Sequence, residues 1–321
     1  MKVSIVIPNR NDSVMLGVTI RTALECLKEI DNDGEVIVVD NSDDDIYRVI
    51  TTPNVSPIPL GCRRSGMLKI IRQDFPSMYS ARQTGFENAS GEYLMGSDSH
   101  TIWGRGLVKD CVEFMEKNPD AGIGFSPINW MNRPDGFAKT NIAPHENGGI
   151  FGNWGKSGIL PSRKICWNFG FRITRKDWYF KIGGMSFFAK KRISWGGGEF
   201  YISLKSWLMG RANWSIKTSP LYHIGPFSSE VERLGYRFRQ YGASGNGKQG
   251  IGILAAFYAL GGDKAKHEAA KSANGLYQQH GLVVDRDWPE ARLLAEEDHQ
   301  WILKNQAISF EELLHQRPWE K

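Results

Sequence analysis

Two unbroken runs of aliphatic and β-branched residues, KVSIVIP at 2–8 and GEVIVVD at 34–40, bracket a stretch with helical spacing. A strand without polar alternation is buried on both faces. Between the runs, Val14, Val18, Leu24 and Leu27 mark one stripe of a helix over residues 13–30. Strand, helix and strand in that order predict a parallel pair joined by a right-handed crossover. This sets the fold class as α/β. It also says where chemistry belongs, because open sheets of this kind bind ligands beyond the carboxyl ends of their strands.

Those ends are polar. The second run stops at Asp40 and Asn41, with Asp43, Asp44 and Asp45 following. A Pro-, Gly- and Ser-rich loop at 51–66 leads to a third strand, MLKIIRQ, and then to a helix in PSMYSARQTGFENASG, closed by Gly91. A fourth strand, EYLMGSDSH, ends on Asp98 and His100. Residues two apart in extended chain point to the same side. A carboxylate and a neutral imidazole so placed can chelate one divalent cation. The same residues also suit a turn opening the next helix, over 106–117. A strand follows in AGIGFSPINW. Residues 131–165, rich in Gly, Asn and Pro, read as a long irregular excursion, and such loops usually carry function or move. From 226 onward GILAAFYALGG, DKAKHEAAKSANGLYQQH and DWPEARLLAEEDHQWILKNQ read as helices. Residues 226–321 are therefore expected to form a helical appendage.

With 321 residues, 41% of them hydrophobic, the chain can bury a full core. A net charge of +5 favours phosphates or acidic surfaces as partners and is silent on fold. Cys26, Cys62, Cys111 and Cys166 include no C-x-x-C pair, which argues against a zinc knot or a disulfide scaffold. No apolar run approaches the roughly 18 residues of a membrane span. The start, MKVSIVIPNRND, lacks a signal-peptide pattern. The expected compartment is reducing and cytoplasmic.

The order IVIPNRND, VIVVDNSDDD, SARQTGFENASG, YLMGSDSH resembles family 2 glycosyltransferases of the GT-A fold. The Asp-Ser-His triplet is similar to the metal motif of the polypeptide N-acetylgalactosaminyltransferases. FGFRITRKDWYFKIGGM followed by ISWGGGEFYISLKSWLMG extends the likeness, which covers residues 1 to 225. It implies a GT-A catalytic domain over that span, a Rossmann-like, mostly parallel sheet flanked by helices. It implies transfer of a sugar (GalNAc, GlcNAc or a hexose) from a UDP-sugar to a hydroxyl, with Mn²⁺ or Mg²⁺ stabilising the departing diphosphate. Asp98 and His100 become metal ligands, with His223 of SPLYHIGPF as the third, although the polypeptide transferases would place that histidine nearer Pro226. Asp40 is implied to accept a hydrogen bond from uracil, Pro8 and Asn9 to line the uridine pocket, and Arg82 to contact the diphosphate or sugar. Trp195 is expected beside the sugar.

The departure lies in WGGGEF. The polypeptide transferases read W-G-G-E-N there, so Gly198 stands for their glutamate and Glu199 for their asparagine. Inverting family 2 enzymes read E-D, and their second acid is the general base. Glu199 is thus a candidate base for the acceptor hydroxyl, with inversion, or a residue that positions the donor, with retention. The missing glutamate also leaves open an inactive UDP-sugar-binding protein. A nucleotidyltransferase would show a Gly-rich phosphate loop after the first strand, which PNRNDS is not.

Residues 163–192 hold nine cations against a single acid, Asp177. Arg233, Arg237, Arg239 and Lys248 follow, with Tyr236, Phe238 and Tyr241 interleaved. A basic groove with aromatics suits a polyanion whose bases stack. The acceptor expected on this reading is macromolecular, a hydroxymethylated pyrimidine flipped out of DNA. Ser or Thr of a protein, or a glycan, is the alternative that the resemblance favours, and a solvated charged face would carry the same residues.

Overall fold

β1 (Val3–Asn9) and β2 (Gly34–Asp40) are buried along their whole length, as their apolar runs predict. They pair in parallel, with Asn9 opposite Asp40. β3 (Leu68–Arg72) extends β2, and β4 (Tyr93–Ser97) lies on the other side of β1, both parallel. The carboxyl ends of all four strands therefore share one edge. The computed structural model describes residues 1–10, 12–42, 67–74, 77–131, 161–164, 171–185, 197–223, 243–272 and 274–316.

Beyond β4 the sheet becomes mixed. β9 (Phe171–Arg175) runs antiparallel between β4 and β6 (Ile123–Phe125). β10 (Asn213–Ser215) and β8 (Ser162–Lys164) complete the order β3-β2-β1-β4-β9-β6-β10-β8. A second sheet holds β5 (Thr101–Trp103), β11 (Leu221–His223) and β7 (Ile128–Trp130), with β11 in the middle. The run at 121–130, expected as one strand, is thus two strands in two sheets. The break falls at Ser126 and Pro127, where proline offers no N–H to continue a ladder.

The helices cover both faces of the large sheet. α1 (Ser13–Lys28) and the later α3 (Leu107–Lys117) bury Leu16, Ile20, Leu24, Leu107 and Cys111 against Val3, Ile5 and Ile7 of β1. α2 (Met78–Glu87) and α5 (Gly198–Leu208) cover the opposite face, where Val6, Ile37 and Val39 meet Tyr79, Phe86, Tyr201 and Leu204. The short α4 (Lys176–Lys181) follows β9 directly. α6 (Ala243–Ser272), broken at Gly261 and Gly262, then α7 (Asn274–Asn305) and α8 (Phe310–Gln316) form the expected helical segment. Phe257, Ile302 and Leu313 from these helices belong to the same apolar cluster as Val6 and Phe200. None of the described helices is long and apolar enough to cross a membrane. Cys26 and Cys111 are buried free thiols, and Cys62 and Cys166 lie outside the described residues.

A buried charge ties α5 to α7. Lys205 is fully buried, its Nζ 3.3 Å from Asp298 Oδ1 and also donating to the Tyr201 hydroxyl. Trp301 and Tyr201 present their rings to the ammonium, with centroids 4.7 Å away. Burial pulls Lys205 below its ordinary pKa, and Asp298 offsets part of that. Breaking a pair of this kind strands a cation in the core. Asp298→Ala should lower stability by about 3–5 kcal/mol in equilibrium urea denaturation. Lys205→Met combined with Asp298→Leu should recover most of the loss, because no unpaired charge remains. An Asp298→Ala protein as stable as wild type would show the pair to be idle.

Candidate active site

The metal motif follows β4, and its loop is pinned from below. Thr19 of α1 donates to the carbonyls of Ser99 and Thr101 at 2.7 and 2.8 Å and accepts from the Thr101 N–H at 3.0 Å. The Thr101 hydroxyl donates back to the Asp98 carbonyl at 3.1 Å. β5 starts at Thr101 and pairs with β11, which sets His223 directly across from Thr101. That pairing is how a histidine distant in sequence reaches the motif. The rings of His100 and His223 meet edge to face, centroids 4.7 Å apart. Asp98, His100 and His223 each offer one ligand atom, and these atoms all lie within 4.8 Å of one another. One carboxylate and two imidazoles suit a divalent transition metal such as Mn²⁺.

The charge states of Asp98 and His223 agree with that use, while at His100 burial is outweighed by the Asp12 hydrogen bond, which raises the imidazole above its ordinary value, so metal binding there must displace a proton. Burial opposes ionisation of Asp98, but the His223 hydrogen bond and the Arg82 guanidinium outweigh it and hold the carboxyl well below its usual range. Burial pulls His223 below the ordinary imidazole value, which favours the neutral form that ligates metal.

Asp12 supplies a partner behind the ligands. Its Oδ2 lies 2.8 Å from His100 Nδ1 and accepts from the Ser99 hydroxyl at 2.7 Å. A carboxylate only accepts, so His100 Nδ1 carries the proton and Nε2 presents its lone pair. This is the usual second support of a metal-bound histidine. Asp12 occupies the N-cap of α1, yet its side chain makes no cap hydrogen bond. Sequence reading assigns an aspartate at a helix start to capping or a turn, so this role was not foreseen.

On the other side of Asp98 stands Arg82, 1% exposed. Its two terminal nitrogens donate to Asp98 Oδ1 at 2.6 Å and to Glu199 Oε1 at 2.9 Å. The Tyr79 hydroxyl donates to Glu199 Oε2 at 3.1 Å and accepts from the Gly198 N–H at 3.0 Å. A side chain at 198 has no room, because a Cβ would stand 2.2 Å from the Tyr79 ring. The Tyr79 ring thus fills the space a side chain at 198 would need, and the carboxylate of this segment comes from Glu199. Gly197 caps α5 with φ +81°, a conformation that favours glycine.

At the ends of β1 to β3, Asn9 Nδ2 donates to Asp40 Oδ1 at 2.8 Å and to Ser42 Oγ at 3.0 Å. Arg72 pairs with Asp40 Oδ2. Asp40 is fully buried, and its oxygens serve these neighbours. Asn9 Oδ1 is buried with no hydrogen-bond partner, an acceptor suited to an incoming N–H. Pro8 lies in β1, buried beside it. Trp195 lies outside the described residues.

Three cations of the basic stretch are turned inward or used within the fold, while Arg163 and Lys181 are exposed. Arg175 binds the Met115 carbonyl at 2.8 Å and Glu92 at 3.2 Å, and stacks on Tyr93. Lys176 caps the Ala89 carbonyl at 2.6 Å, and Arg172 is buried. Lys190, Lys191 and Arg192 and the cluster at 233–241 lie outside the described residues.

The Asp12 geometry yields a test. Asp12→Asn should raise the Mn²⁺ dissociation constant by about 10- to 100-fold, read from the free Mn²⁺ signal in electron paramagnetic resonance. Unchanged affinity in a folded variant would remove Asp12 from the site.

Comparison with known proteins places this geometry. The sequence profile described as Glycosyl transferase family 2 matches residues 4–188. A search of curated proteins finds no match. Among solved structures, one of GalNAc-T7 with UDP, GalNAc and Mn²⁺ aligns with a TM-score of 0.61 at 16% identity, over 99% of this chain and 58% of that one. The present chain thus spans little more than half of that protein's structure. One of S. aureus TarS 1–349 with UDP aligns with a TM-score of 0.54 at 13% identity, over 87% of this chain and 72% of the other. With the profile covering more than half of its length and the strand-end cluster in place, this chain belongs to glycosyl transferase family 2 and has the GT-A fold.

Proposed function

We propose that the chain moves a sugar from a UDP-sugar to an acceptor hydroxyl with the help of Mn²⁺ or Mg²⁺. The convergence of Asp98, His100 and His223 at the carboxyl edge of the sheet carries this reading. The neighbour that holds UDP with Mn²⁺, and the one that holds UDP, support it. A divalent cation bound there supplies Lewis-acid stabilisation to the leaving diphosphate.

The chain's own residues do the rest. Asn9 and Asp40 face the nucleobase end, where the buried Asn9 Oδ1 accepts from uracil. Arg82 is held in place by Glu199 while it orients Asp98. Glu199, at the first turn of α5, takes the proton of the acceptor hydroxyl, and Tyr79 and Arg82 fix its rotamer. Trp195 packs beside the sugar. The acceptor is macromolecular, its hydroxyl on hydroxymethylated DNA or on Ser or Thr of a protein. The internal use of Arg175 and Lys176 and the burial of Arg172 take weight from the DNA reading.

The test is UDP release with Mn²⁺ over a panel of UDP-sugars, with hydroxymethylated DNA and a Ser/Thr peptide as acceptors, followed by anomeric analysis. Asp98→Asn should abolish transfer. Glu199→Gln should lower kcat by roughly 10²- to 10⁴-fold, and the wild-type product should be inverted. Retention of configuration would make Glu199 a positioning residue instead. UDP binding without turnover on any donor or acceptor would leave a binding protein.

A further inference from the structure

Glu199 hangs from a turn of two glycines, Gly197 and Gly198, with no side chain of their own to pin it. Glycine has the freest backbone of any residue, so such a turn takes its shape from what surrounds it. The surroundings differ on its two sides. At Gly198 the wall is the Tyr79 ring of α2. At Gly197 the wall is main chain. A Cβ there would stand 2.6 Å from the Gly252 carbonyl oxygen and 2.8 Å from Ile253 Cα, both in α6. A side chain can swing away from a contact that close, and helical backbone cannot. The peptide joining residues 252 and 253 therefore lies flush against the turn.

α6 is held firmly at this point. Residues 251–260 are buried on every face of the helix. Phe257 meets the ring of Phe200, the residue after Glu199, with centroids 5.8 Å apart. On another side it meets Phe310 of α8 edge to face at 6.3 Å. An element packed on all sides has little room to shift. Glu199 is thus fixed from two directions, with Arg82 and Tyr79 at its oxygens and α6 behind its backbone.

We infer that Gly252 and Ile253 of α6 are positioning residues for Glu199, whose peptide backs the Gly197 turn and sets the distance between the carboxylate and the acceptor hydroxyl. The inference rests on Glu199 being the base. Proton transfer needs a heavy-atom separation of about 2.6–3.2 Å. A displacement of about 1 Å can cost on the order of 100-fold in rate.

The test is a double-mutant cycle on the full chain, read as kcat for UDP release with Mn²⁺ and the donor and acceptor that the wild type uses. Ile253→Ala removes the side chain that seats α6 and should lower kcat about 10- to 100-fold. Its dissociation constant for UDP with Mn²⁺ should stay at the wild-type value. Leu260→Ala, equally buried and two turns further along the same face of α6, should lower Tm by a similar amount and leave kcat unchanged. In a Glu199→Gln background Ile253→Ala should cost nothing further, because no base remains to be misplaced. Ile253→Val, a milder truncation, should show a smaller loss of kcat with the same dependence on Glu199. Full kcat in both Ile253 variants, an equal loss in Leu260→Ala, losses that add to that of Glu199→Gln, or weakened UDP binding would each overturn the inference and leave the base reading standing. Full kcat in Glu199→Gln, or no transfer by the wild type, would sink both.

Discussion

A single guanidinium between two carboxylates organises this protein. Asp98 follows the central strand of the sheet and Glu199 opens a helix from a later part of the chain. Two buried anions facing each other would repel and would each demand solvation that the interior cannot supply. Arg82 removes both problems with two directed hydrogen bonds. Its helix makes this possible, because Tyr79 and Arg82, three apart, share one face and reach Glu199 together. The sheet, α2 and α5 are therefore held in register by charge as well as by the apolar layer beneath.

The parts of the fold that depend on local pattern were legible in the sequence. The unbroken apolar runs gave β1, β2 and the crossover between them, and the turn-rich segments marked their ends. Asp98 and His100 were legible as a carboxylate and an imidazole two apart at the close of an apolar strand, although the structure sets them in the loop between β4 and β5 and not in extended chain. His223 was reached through family likeness, since it lies 125 positions from Asp98 and only the pairing of β5 with β11 brings it near. Asp12 was not legible, because an aspartate before a helix has an ordinary local explanation. The charge count at 163–192 was limited for a different reason. Composition does not say which face of a strand a cation takes, and β9 turns Arg172 and Thr174 inward.

Asp12 also shows how function shapes local stability. A side-chain cap at the start of a helix contributes typically about 1 kcal/mol. α1 forgoes it, and the carboxylate instead fixes the tautomer of His100, a proposed metal ligand. Local preference and site geometry disagree here, and disagreement of this kind is expected where a residue serves chemistry. Tyr79 tells a related story. It fills the volume a side chain at 198 would need and its hydroxyl binds the Glu199 carboxylate, so the same residue shapes the segment and holds its acid.

The buried tie between Lys205 and Asp298 changes what α5 is free to do. Glu199 sits in the first turn of that helix and Lys205 in its last, so the helix is anchored at one end by Arg82 and at the other by α7. Small-amplitude fraying from either terminus is suppressed, and the cheapest excursion open to the helix is a concerted one that releases the carboxyl-terminal helices as well. Proteins open in such cooperative blocks. On that argument α5 and the helices α6 to α8 open together, so slow breathing of those helices reaches Glu199, the proposed base.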